Sequence, residues 1–190
     1  MDVTISSKSK GIDPLKFGLW AGFASIIMMF IALTSAYIVR QSAGNWLEFK
    51  LPTAFIYSTL TIIISSITLH MSYVGFKKGN ETSYKLFLIA TLALGLIFIM
   101  FQYQGWQEMH NIGVDLDGNP SGSFVYVISG LHAAHVLGGL AVLTVAIMHA
   151  FSLPYKPTEK RRLRFQLTTQ YWHFVDILWV YLFLFFLFFR

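Results

Sequence analysis

Two pairs of side chains in this sequence have types and a spacing that could do chemistry. His132 and His135 stand three residues apart, and so do His173 and Asp176. On a helix, such positions share a face. Two imidazoles on one face could hold a metal ion or serve a haem. A metal would need further ligands converging at the same depth. A haem would need an axial histidine from a second helix, for which His70, His149 and His173 are the candidates. The neighbours of the pair favour another use: Gly130, Ala133, Ala134, Gly138 and Gly139 are small, which suits close helix packing with interhelical hydrogen bonds. We expect no metal and no cofactor in this chain. A His–Asp pair could relay protons or act as a counter-ion. The simpler reading is a buried polar clasp, with Tyr171 and Trp172 supplying polar handles beside it. His132, His135, His173 and Asp176 are therefore expected to form a structural polar cluster, with no catalytic residue in the chain.

Other chemistry is scarce. Gln102, Gln104 and Gln107 precede Glu108, and amides at that depth need a protein partner because the bilayer offers no water. Asp115-Leu116-Asp117-Gly118-Asn119 resembles part of a calcium loop but lacks the full spacing and the closing Glu, so it reads as a polar turn. Met28, Met29, Met71, Met100 and Met148 are scattered, as packing residues are. With no cysteine, disulfides, thiolate metal sites, iron–sulfur clusters and cysteine nucleophiles are excluded. Phosphate-cradling, nucleophile-elbow and zinc-helix motifs are missing.

The elements that must position these residues follow from charge placement. The chain has 190 residues, of which 55% are apolar and only 12% charged. A soluble domain carries about a quarter charged residues, so disordered, nucleic-acid-binding and ordinary water-soluble classes are set aside. Charge-free blocks run over 17–39, 51–76, 86–107 and 118–155. A fifth, 165–189, is broken only by Asp176. About 20 apolar residues cross the hydrocarbon core, and helix is the default there because the backbone must satisfy itself. The fold class predicted is an all-α integral membrane protein, one domain over 1–190, with five transmembrane helices near 17–39, 53–76, 85–106, 123–151 and 168–189. The first block is too long for a signal-peptide core and lacks a convincing cleavage site.

Lys8, Lys10, Lys16, Lys77, Lys78, Lys85, Lys156, Lys160, Arg161, Arg162 and Arg164 fall on one side of such a bundle. Only Arg40, Lys50 and Arg190 fall on the other. The positive-inside rule then puts the N-terminus inside and the C-terminus outside. On those spans His135 lies ~18 Å from the outer end of its helix, and Asp176 lies ~12 Å from the inner end of the next. In a core of about 30 Å the depths match, so Asp176 is expected to bond His135 or His132, directly or through a bridging water, with His173 as the competing partner.

The run Tyr171-Trp172-His173-Phe174-Val175-Asp176, followed by Ile177-Leu178-Trp179, resembles the closing helix of subunit III of haem–copper terminal oxidases. Gly130-Leu131-His132-Ala133-Ala134-His135-Val136 resembles that family's segment on the preceding helix, and Gln102 with Glu108 matches the end of the helix before it. The chain looks like a short five-helix form of members that reach seven. Two acids of the family pattern fall here on Ile26 and Gln166, so proton or oxygen roles tied to those acids do not carry over. The resemblance implies a non-redox subunit of a proton-pumping respiratory oxidase, cytochrome c oxidase, in a bacterial plasma membrane. It would pack mainly on subunit I, with subunit II and membrane lipids as further partners, and would support proton uptake and durable turnover. Haem and copper would belong to subunits I and II. The resemblance allows a place in a respiratory supercomplex. A quinol-fed oxidase is the alternative. A haem-binding cytochrome, or a small transporter built from inverted halves, fits the residues less well, since five helices do not divide in two.

Overall fold

Blocks this apolar must close their backbone hydrogen bonds on themselves, and all five do so as α-helices. The computed structural model describes residues 13–155 and 158–189. It places α1 at Pro14–Ser42, α2 at Thr53–Lys78, α3 at Glu81–Asn111, α4 at Pro120–Ser152 and α5 at Glu159–Phe188. All five are long and apolar enough to span a membrane. Most of these helices outrun the apolar blocks, because caps rather than the lipid boundary set where they start. Asn80 and Asn119 accept from the backbone N–H groups of Ser83 and Ser121, and Thr158 accepts from that of Arg161. Such oxygens satisfy amides that a first turn leaves unpaired. Thr158 thereby carries the start of α5 back from the expected Thr168 to Glu159, through a strongly basic turn.

Helices α2, α3, α4 and α5 form a closed ring in which each touches two neighbours, and α1 lies outside it against α4 and α5. The closest pair is α2 and α3. Gly79 ends α2 at φ 78° and turns the chain tightly back. The absent side chain of Gly75 lets the backbone of Tyr84 approach, to 3.0 Å from where a Cβ would sit. Along α2, Ser58, Ser65 and Ser72 are fully buried at seven-residue spacing. That is the repeat that keeps one seam of small side chains on a neighbouring helix. Ser72 Oγ donates to the Tyr84 carbonyl at 2.8 Å, and Ser65 Oγ to that of Thr91 at 3.4 Å.

The ring closes on Trp172 of α5. Its indole lies in a slot between Gly95 of α3 and Gly139 of α4: a Cβ on Gly95 would stand 2.8 Å from Trp172 Cη2, and one on Gly139 3.0 Å from Cε3. Its Nε1 donates to Ser65 Oγ of α2 at 3.0 Å. One side chain thus touches the three other helices of the ring.

Polar contacts fasten both ends. At the end bearing the basic connections, Tyr155 donates to the Phe76 carbonyl at 2.6 Å. Arg161 donates to the carbonyls of Pro154 and His149 at 2.8 and 3.2 Å, where α4 leaves acceptors unpaired. At the opposite end, Asn119 accepts from Leu47 N–H and donates to the Asn45 carbonyl while capping α4. It joins the α1–α2 connection to the ring.

Candidate functional site

The four residues expected to cluster lie in separate surroundings, His132 against the indole of Trp179 and His173 against Ser66 of α2. His132 is wholly buried with no hydrogen bond to either nitrogen. Its ring packs 5.1 Å from that of Trp179, 5.9 Å from Phe98 and 6.4 Å from Phe30. His135 uses Nδ1 to donate to the Leu131 carbonyl at 2.7 Å, one turn back on its own helix. Its own carbonyl accepts from Tyr171 Oη at 3.0 Å.

His173 and Asp176 turn toward α2. His173 Nδ1 lies 2.6 Å from Ser66 Oγ and 4.0 Å from Asp176 Oδ2, and the His70 ring centroid is 6.4 Å from that of His173. Both carboxylate oxygens of Asp176 are buried without a hydrogen bond in this chain.

The direct bond expected between Asp176 and His135 or His132 is therefore not formed, and the competing neighbour His173 is the nearest histidine found. The reason is rotational. Depth along the membrane fixes the axial position of a residue but not the direction in which it points. Trp172 and Trp179, seven residues apart, take the interior side of α5, with Trp179 Nε1 donating to Thr59 of α2 at 3.0 Å. Asp176 lies between them on the helix and is carried toward α2, while the Trp179 ring fills the space beside His132.

The remaining motif residues serve packing. Gln102 is wholly buried and donates from Nε2 to Ser58 Oγ at 3.1 Å. Glu108 accepts from Thr53 Oγ1 at 3.3 Å. Phe174 stacks on Phe23 of α1 with centroids 4.2 Å apart, and Val175 is buried. Gly130 faces open space. In the turn with partial calcium-loop spacing, Asp115 contacts His110, and Asn119 is the α4 cap. Among the described residues no three His, Asp or Glu side chains stand close enough to hold a metal ion. On α4, His132 is walled by aromatic rings, while the Nδ1 bond of His135 to a carbonyl leaves the lone pair of that ring on Nε2. Sequence reasoning missed the buried hydroxyls of α2, although the spacing of Ser58, Ser65 and Ser72 was there to be read.

A cavity of about 720 Å³ opens at the basic end, between α1, α4 and α5. Leu19, Val142, Val145 and Phe165 line it, together with Arg161 and Arg164. Its shape is that of an apolar slot with cations at one end.

Comparison with known proteins gives a family. The profile of cytochrome c oxidase subunit III matches residues 9–190. A probable cytochrome c oxidase subunit 3 of Mycobacterium bovis is 28% identical over 166 residues, covering 84% of this chain and 80% of the relative. The cytochrome c oxidase subunit 3 of Corynebacterium diphtheriae is 26% identical over 166 residues, with coverage of 83% and 80%. A probable quinol oxidase subunit 3 of Staphylococcus saprophyticus is 26% identical over 187 residues, covering 95% of this chain and 91% of the relative.

The bond from Trp172 to Ser65 offers a direct check on the packing. Trp172→Phe, Ser65→Ala and the double variant, unfolded by titration with a denaturing detergent, should give a coupling of about 0.6 kcal/mol, the average for interhelical bonds in membranes. Additive losses would show that the two side chains do not interact.

Proposed function

Because this chain belongs to the cytochrome c oxidase subunit III family, we propose that it is the subunit of a proton-pumping respiratory oxidase that carries no redox group. It packs on subunit I and holds that subunit in its working form while electrons pass to oxygen. The observation that carries this reading is where the family's own residues lie. Tyr171, Trp172, Phe174, Val175, Gln102 and Glu108 are spent on contacts between helices. Haem and copper then belong to subunits I and II, which supply the redox chemistry. What this chain supplies is a rigid apolar body with polar groups at chosen depths.

Subunit II is a second partner, and membrane lipid a third. The slot between α1, α4 and α5 suits acyl chains along Leu19, Val142 and Val145, with Arg161 and Arg164 near an anionic headgroup. The basic asymmetry of the connections supports a cytoplasmic N-terminus, and the bacterial relatives support the plasma membrane as its place. A respiratory supercomplex is compatible with all of this. A quinol-fed oxidase is the second reading, and one observation favours it: the quinol oxidase relative aligns with 95% of this chain.

Deleting the chain should leave an oxidase that retains its haem and consumes oxygen at first, then loses activity faster during sustained turnover than the intact enzyme. Equal decay in the two would contradict the supporting role. Supplying reduced cytochrome c or a quinol to the same membranes separates the two oxidase types.

The orientation has its own check. A reporter active only outside the cytoplasm should work when fused after Phe189 and stay silent when fused before Pro14. The opposite pattern would reverse the topology.

A further inference from the structure

Three sides of α5 are occupied by this chain. Trp172 and Trp179 point into the ring. Phe174 and Tyr181 meet α1, the latter through a 3.1 Å hydrogen bond with Thr34. His173 meets Ser66 of α2. Between the α1 contact and the α2 contact lies a fourth side. At about 100° per residue, Gln166, Gln170, Ile177, Val180 and Leu184 fall on it, with His173 at its edge. Steps of four and three residues along this series are the pattern of a helix seam that packs on another helix. Ile177 is 70% exposed and Leu184 43%. No helix of the described chain covers them.

The chemistry of this side does not suit lipid. His70 of α2 is exposed beside it, and the His173 side chain is 29% exposed. Gln166 and Gln170 are half-buried. Ser66 takes Nδ1 of His173, which leaves Nε2 for another partner. Behind His173, at 4.0 Å, stands the carboxylate of Asp176, 4% exposed and with no hydrogen bond to either oxygen. Ser66 and Asp176 lie near the middle of their helices, so the group sits at mid-membrane depth. Polar and ionisable side chains at that depth face protein or water rather than hydrocarbon. A face destined for lipid would not carry His70 and His173 with a buried carboxylate behind them.

We infer that the side of α5 between α1 and α2, with His70 and Ser66 at its margin, is the surface on which a transmembrane helix of the haem-bearing oxidase subunit docks. This rests on the subunit III reading and names the face that reading leaves open. The partner helix brings hydrogen-bonding side chains to His70 and to His173 Nε2 at mid-membrane depth. Ile177 and Leu184 fill its apolar grooves. Asp176 acts from behind, holding the imidazole of His173 toward the partner.

The test is site-specific photocross-linking in membranes that contain the whole oxidase. A photoreactive residue is placed at Ile177 on the proposed face. Control positions are Leu96 on α3 and Met148 on α4, both exposed on other faces. All are surface positions, so folding is preserved. The tagged chain is then recovered and its adducts identified. The expected result is an adduct with the haem-bearing subunit from Ile177 and none from Leu96 or Met148. An adduct with that subunit from a control position and none from Ile177 overturns the docking face but leaves the subunit III reading intact. An adduct from Ile177 to a second copy of this chain, or to lipid alone, also overturns it. If no haem-bearing subunit is recovered with the unmodified tagged chain, the subunit III reading itself fails. As a second measurement, His70→Leu with His173→Leu should abolish recovery of the haem-bearing subunit, whereas Leu96→Ala should not.

Discussion

The indole of Trp172 is the contact on which the rest of this bundle depends. Lipid gives no hydrophobic reason for helices to associate, so transmembrane bundles are held by close packing and a few interhelical hydrogen bonds. Trp172 supplies both. Its rings fill a slot that exists only because residues 95 and 139 are glycine, and its Nε1 reaches the buried hydroxyl of Ser65. Once this residue is seated, the rotation of α5 is fixed. Trp179 then meets Thr59 and His132, Tyr171 meets α4, and His173 is delivered to Ser66 of α2.

A second consequence concerns polarity. The interior of the ring is furnished with hydroxyls from α2, each donating to a carbonyl and receiving from a larger side chain where one is near. Ser58 donates to Phe55 and accepts from Gln102, and Ser65 donates to Thr91 and accepts from Trp172. Such small relays let an amide and an indole lie at membrane depth without water. Asp176 and His132 are left out of these relays, since neither the carboxylate oxygens nor the imidazole nitrogens find a partner among the described residues. A buried carboxylate left without a hydrogen bond behind the part-exposed His173 is what a subunit built for a larger assembly would show.

Much of this architecture was legible in the sequence. The absence of charge over long blocks marked the five helices, since helix is the default backbone for a span in lipid. The run from Tyr171 to Asp176, with the segment around His132 and His135, carried the family. The starts of α3, α4 and α5 were less legible. They depend on the single capping oxygens of Asn80, Asn119 and Thr158 in polar stretches, where apolarity gives no signal. The need of Asp176 for a protein environment could be read from its position, but its neighbour could not. Counting residues from the helix ends gives depth alone, and rotation about the helix axis follows from where two large indoles fit. The heptad of serines on α2 was present to be read, yet serine in an apolar block gives no sign of its neighbours until the facing glycine and tryptophan are known.

The proposed role is that of a structural partner of a redox machine, with the redox groups held by other subunits. It is tested most directly by the visible absorption spectrum of the tagged chain, recovered from membranes and then separated from whatever accompanies it. Haem bands are expected in the recovered assembly and none in the isolated, still helical chain. A Soret band that stays with the isolated chain and disappears on replacing His132 or His135 would contradict that role.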